Sequence, residues 1–257
     1  MNKDTFEIFL ISKLKENKID ITLSDTEIFK LYTYMKYILK INQSINLTAI
    51  TDEKEFIIKH IIDSIYIQKY IDIFKDEYIF DMEEYLKSSN LKKEEKNKLQ
   101  KQNLKYLDIG TGGGFPLSVI SILNNDISSY GLDSVNKKLE VIKKSNLNIN
   151  TIHGRAEILA HDKKYREQFY IVTSRAVSKL DNIIMLMAGF VMPSGYLICM
   201  KGEKENLSEK ILEHFNLELS HIEEYDINDA KRTIYIFKKI DCLNKNLPNK
   251  NSKKYKA

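Results

Sequence analysis

No stretch of the 257 residues is apolar for long enough to span a bilayer, which excludes an ordinary membrane-crossing helix. Asp4, Lys13 and Lys15 interrupt the start, and the basic, apolar, small-residue order of a secretory signal is missing, so the cytoplasm is the expected compartment. Cysteine is scarce: Cys199 and Cys242 share no metal-ligand spacing, so neither a metal nor a disulfide framework is expected. Cys199 falls in the apolar run Gly195–Met200 and reads as a core thiol. There is no internal repeat, and no nucleophile stands beside a base at a recognisable spacing. What remains is a composition of 43% hydrophobic and 30% charged residues, which places the chain among ordinary globular proteins.

Charge is unevenly placed. From Lys238 onward seven lysines face one aspartate, a local net of +6 within a total of +4, so everything before it sums to −2. A basic end on a mildly acidic body points either to an anionic partner or to a device for solubility.

The first eighty residues read as a helical cap. Phe6, Phe9, Leu10 and Leu14 recur at helical spacing, and Ser24-Asp-Thr-Glu27 has the form of a capping box before Ile28, Leu31, Met35, Ile38 and Leu39. A third helix is expected from about Asp52 to Phe74. Residues 81–104 are rich in lysine and glutamate and read as a solvated helical excursion or a mobile insertion. From Lys105 strands and helices alternate. Strands are expected at Lys105–Ile109, Ser128–Leu132, Thr151–His153, Phe169–Ser174, Gly195–Met200, Leu219–Tyr225 and Arg232–Lys238. This order calls for a Rossmann-like α/β domain over 105–240, with a mostly parallel seven-stranded sheet covered on both faces. Residues 241–257, lysine- and asparagine-rich with Pro248, read as a mobile basic tail.

The chemistry concentrates in Tyr106-Leu-Asp108-Ile-Gly110-Thr-Gly112-Gly-Gly114-Phe115-Pro116. A strand ends on an acid, and glycines then bring main chain close to a ligand at the start of a helix. The spacing is G-x-G-x-G rather than the G-x-G-x-x-G of a dinucleotide site, which disfavours a dehydrogenase. Asp133, closing the second strand, can accept both hydroxyls of a ribose; the order of strand, glycine loop, strand and acid favours this over a helix cap. His60 and Asp63, three apart, read as a tie between the cap and the sheet.

With Gly154-Arg-Ala156-Glu157 after the third strand, these features resemble the class I methyltransferases. More narrowly, Ile45-Asn-Leu-Thr48, Lys59-His60-Ile-Ile-Asp63-Ser64, Asp108 through Pro116, Asp133-Ser134, Arg155-Ala-Glu157, Ser174-Arg175-Ala-Val177 and Lys201-Gly202 resemble the bacterial 16S ribosomal RNA guanine-N7 methyltransferases, also called glucose-inhibited division protein B. The likeness runs in unbroken order from about Ile45 to Ile240. It departs at Leu117 and Val119, where the family commonly has a small residue and a proline, and in the length of the stretch after Asp81.

The resemblance implies S-adenosylmethionine as cofactor and 16S ribosomal RNA of the small subunit as partner. It implies a pocket made by Asp108, Gly110, Gly112, Gly114, Phe115, Asp133, Ala156, Glu157 and Arg175. Gly110 and Phe115 would line the methionine and ribose end, Ala156 and Glu157 the adenine, and Arg175 would stand catalytically beside the methyl group, positioning the base or the cofactor carboxylate; its structural alternative is a salt bridge at the sheet edge. Guanine N7 carries an in-plane lone pair, so such an enzyme needs no general base. A methyltransferase for a small molecule or protein, or a non-catalytic assembly factor, would share the fold.

Overall fold

The computed structural model describes residues 1–100, 102–175 and 178–249. Four helical pieces make the cap. Helix α1 (Lys3–Glu16) starts at Asn2, whose side chain accepts from Thr5 N. Helix α2 (Asp25–Asn42) starts with the reciprocal Ser24–Glu27 capping box that the sequence announces. Asp52 caps α3 (Glu53–Phe56), which passes through a π-helical turn at Ile57–Ile62 into α4 (Asp63–Ile65). The core of the cap, with Phe6, Leu10, Ile28, Met35, Phe56 and Ile61, is continuous with Phe115, Val119 and Val141 of the following domain. The cap therefore packs against the helices that flank the glycine loop.

Helix α5 (Gln68–Ser88) corrects two expected boundaries. Its first half belongs to the sheet rather than the cap: Ile67, Ile71 and Phe74 are buried there, and Phe74 stacks on Tyr196 at 3.7 Å. The helix then continues past Asp81 into the supposed insertion, and α6 (Lys93–Gln100) follows. Few apolar residues mark this extension because only one side of it meets protein.

The sheet comprises β1 (Lys105–Ile109), β2 (Ser128–Asp133), β3 (Ile149–His153), β4 (Phe169–Arg175), β5 (Val191–Lys201), β6 (Leu217–Ile227) and β7 (Ala230–Lys239). Between them run α7 (Leu117–Leu123), α8 (Asn136–Lys143), α9 (Ala156–Leu159), α10 (Leu180–Ala188) and α11 (Glu209–His214). The strand order is β3-β2-β1-β4-β5-β7-β6, with β7 antiparallel to both of its neighbours and the remaining pairs parallel. All seven expected strands are present. Strand β5 begins four residues early, because Pro193-Ser194-Gly195 forms a bulge inside it rather than a turn before it: Phe169 pairs Val191 and Ile171 pairs Tyr196. One face of the sheet buries Leu107, Val172 and Cys199 under α10, and the other buries Tyr106, Ile171 and Ile198 under α5 and α7.

Strand order reverses between β1 and β4, which opens a crevice at their carboxyl ends. The opposite end of the sheet, before β4, receives the end of β7. Residues 241–249, expected to be mobile, are instead strapped to that end. The Arg166 guanidinium donates to the carbonyls of Ala160, Leu243, Asn244 and Leu247, Leu243 is buried, and Nε2 of His161 lies 2.6 Å from the Pro248 carbonyl. The rest of the basic tail, from Lys250, lies outside the described residues.

Candidate active site

The crevice is built first by the loop after β1. Gly110, Gly112 and Gly114 have φ of 70°, 54° and 86°, a left-handed run that other residues resist. A side chain at Gly114 would also collide with the hydroxyls of Tyr34 and Ser118. Tyr34, from α2, donates to the Gly113 carbonyl at 2.9 Å and so braces the loop from the cap.

The two acids beside the loop have different surroundings. Asp133 accepts from Gly112 N at 2.9 Å with one oxygen and from Val135 N at 2.8 Å with the other. Both bonds fix the carboxylate, and each oxygen keeps a second lone pair for a ligand. Asp108 is fully buried. One of its oxygens accepts from Thr173 Oγ1 at 2.8 Å, while the other has no partner among the described residues. Burial pushes this carboxyl up from the ordinary 3.8 to about 6, against the pull of the Thr111 and Thr173 hydroxyls and of Arg175. Thr111 Oγ1, in the loop itself, is buried beside it. A buried carboxyl with a loop hydroxyl beside it and a pinned carboxylate around main-chain N–H groups suit a ligand that brings its own donors and acceptors.

Phe115 closes the loop. His60 lies flat on its ring at 4.6 Å, Phe56 and Tyr34 meet it edge-on, and the Arg175 guanidinium is 5.7 Å from its centre. Arg175 ends β4 and reaches into the cap. It donates to the Lys59 carbonyl at 3.1 Å, to Asp63 at 3.0 Å and to His60 Nδ1 at 3.0 Å. Asp63 is buried and also takes Arg232 at 3.2 Å from the start of β7. A single carboxylate thus clasps two arginines from two strands and ties them to the cap. Burial pushes the His60 imidazole down to about 3, with Arg175 acting in the same direction, so the ring is neutral. Its other nitrogen meets Thr48 Oγ1 at 2.8 Å.

Ala156 and Glu157 open α9 beyond β3; Glu157 is buried and accepts from Arg155 at 2.6 Å. The residues expected at the site therefore line the carboxyl ends of β1 to β4. Thr48 entered the sequence reading only within Ile45-Asn-Leu-Thr48, with no role of its own, and Tyr34, Thr173 and Arg232 were missed. Nothing in their local spacing marks them, since each lies in an ordinary helix, loop or strand and acquires its partner only through the fold. Among the described residues, no cluster of three or more histidine, cysteine, aspartate or glutamate side chains could hold a metal ion, and no helix is long and apolar enough to cross a membrane.

Comparison with known proteins gives a consistent answer. The sequence model of the GidB family, described as rRNA small subunit methyltransferase G, matches residues 27–82 and 91–235. The residues between the two matches, 83–90, fall at the end of α5 and the link that follows it. The chain is 32% identical over 261 residues to the ribosomal RNA small subunit methyltransferase G of Clostridium novyi (strain NT), covering 97% of this chain and 96% of that protein. It is 35% identical over 230 residues to the protein of the same name from a Thermoanaerobacter species, covering 84% of each.

Proposed function

The chain belongs to the rRNA small subunit methyltransferase G (GidB) family, and we propose that it transfers the methyl group of S-adenosylmethionine to N7 of a guanine in 16S ribosomal RNA. The observation that carries this reading is that His60, the histidine packed against the loop, has no nitrogen free to take a proton. His60 is neutral, with one ring nitrogen engaged by Arg175 and the other by Thr48. His60 therefore offers no acceptor for a proton from a target. Guanine N7 presents a lone pair with no proton to lose, so alignment and electrostatics suffice.

The residues fit the cofactor. Asp133, held by Gly112 N and Val135 N, offers its remaining lone pairs to the two ribose hydroxyls. Gly110, Gly112, Gly114 and Phe115 enclose the methionine and ribose end, where the Asp108 carboxyl and the Thr111 hydroxyl beside it can meet an ammonium group. Ala156 and Glu157 take the adenine. When bound, the cofactor supplies a sulfonium methyl as electrophile. Three of the five N–H donors of Arg175 are used by Lys59, Asp63 and His60, which leaves two to orient the target base or the cofactor carboxylate. The lysines of the terminal segment add RNA affinity, and a ribosomal substrate makes the cytoplasm the place of action.

The test is incubation of purified protein with unmethylated small ribosomal subunits and labelled S-adenosylmethionine, followed by mass spectrometry of the RNA. One new N7-methylguanosine is expected. Labelling of protein alone, or methylation at another base atom, would replace this reading.

A further inference from the structure

The hydrogen bonds around His60 fix a direction that no single residue reveals. A guanidinium only donates, so His60 Nδ1, 3.0 Å from Arg175 Nη2, must accept and carries no proton. The neutral ring then bears its hydrogen on Nε2, which donates to Thr48 Oγ1 at 2.8 Å. Ile50 N donates to the same oxygen at 3.1 Å. A hydroxyl has two acceptor lone pairs and one proton. Both lone pairs of Thr48 are therefore filled, and among the described residues no acceptor takes its proton. An ordinary hydroxyl rotates to donate or accept as its partner requires; this one can only donate.

Its position is also fixed. Asn42 accepts from Leu47 N at 2.8 Å and Thr48 N at 3.0 Å and donates to the Thr48 carbonyl at 2.8 Å, gripping the main chain on both sides of the residue. Leu47 lies against the glycine loop, 3.7 Å from where a Cβ on Gly113 would be. His60, the partner of Thr48, lies flat on Phe115. Thr48 is half-buried at the place where the cap meets the cofactor loop.

We infer that Thr48 is a specificity-determining donor that reads the O6 carbonyl of the target purine beside N7. The inference rests on the methyl-transfer reading above. Guanine and adenine both expose an N7 lone pair, so the transfer itself does not separate them. They differ next door, where guanine has the O6 acceptor and adenine an N6 amino donor. A hydroxyl locked as a donor matches the first and opposes the second, and its orientation is paid for in the folded protein before RNA arrives. Arg175 and His60 act on this choice from a distance, as the residues that remove the alternative orientation.

The experiment uses small subunits reconstituted on unmethylated 16S RNA carrying guanine, adenine or 2-aminopurine at the target position, which is first located by mass spectrometry. 2-Aminopurine keeps N7 and lacks O6. Methyl transfer is measured for wild type, Thr48→Ser and Thr48→Val. Wild type and Thr48→Ser should methylate guanine and lose at least about tenfold in kcat/KM on 2-aminopurine, with adenine slower still. Thr48→Val should lose about tenfold on guanine and discriminate among the three purines at least about tenfold less. Unchanged discrimination by Thr48→Val overturns the inference. If that variant does not fold, equal wild-type rates on guanine and 2-aminopurine overturn it alone. Wild type that leaves guanine subunits unmodified would instead remove the methyl-transfer reading itself.

Discussion

Two constructions meet at the crevice, and they are made differently. The glycine loop is local: Gly112 is gripped by an acid one strand away, through main-chain N–H groups. The clasp around Asp63 is assembled from residues 59, 60, 63, 175 and 232, and it consists almost wholly of side chains. The loop answers to the geometry of a ligand, whereas the clasp holds the cap, β4 and β7 together. Damage to the first should remain in ligand affinity, and damage to the second should spread through the fold.

The strongest test of that division is Asp63→Ala, which leaves Arg175 and Arg232 without their shared counter-charge in a buried place. It should cost about 3–5 kcal/mol, which for a chain of this size lowers Tm by roughly 6–15 °C in calorimetry. A normal melting curve accompanied by lost cofactor affinity would break the comparison. Asp108 sharpens it from the other side. Its folded carboxyl holds a proton up to about pH 6, so its stabilising contribution is complete below 3.8 and declines as pH rises through about 6. Asp108→Asn does not titrate. Cofactor-free wild type should therefore lose about 2–3 kcal/mol relative to this variant between pH 4 and 7 in denaturant titrations. Parallel pH profiles would mean that the carboxyl is not raised.

Next in size, Asp133→Ala should weaken S-adenosylmethionine binding by about 1.5–3 kcal/mol in calorimetric titration while most of the melting temperature survives. Unchanged affinity would remove Asp133 from the ribose. The smallest effect belongs to neither construction. A chain ending at Asn249 retains the strap and loses Lys250, Lys253, Lys254 and Lys256. If three or four of these reach phosphates, the slope of log affinity against log salt flattens by roughly 2–3 units, with cofactor binding unchanged. Equal slopes would leave these lysines a solubility role.

The same division explains what the sequence made legible. Strand, glycine spacing, second strand and acid follow one another within about thirty residues, so Asp108, Gly112 and Asp133 could be located from order alone. The pairing of His60 with Asp63 as a tie to the sheet was also readable from helical spacing. The partners of that tie were not: Arg232 reads as one more residue of an amphipathic strand, and Thr48 as part of a polar loop, until the fold joins them. The strap at 241–249 escaped for a different reason. It packs through Leu243, Pro248 and main-chain carbonyls gathered by Arg166, and a sequence does not display its carbonyls. The unbroken course of helix α5 across Asp81 escaped because a helix with one dry side and a charged remainder carries little periodic signal.

The contrast between the two cysteines has a practical consequence. Cys199 is buried in β5 under α10, and burial pushes its thiol up to about 12, so it stays protonated and inaccessible to alkylating reagents. Cys242 is exposed on the strap, at the end of the sheet away from the crevice. A maleimide dye added to the unaltered protein should attach at that one position. It would give a fluorescence reporter beside the basic segment, in which RNA arrival could be timed without engineering a cysteine or touching the methyl-transfer site.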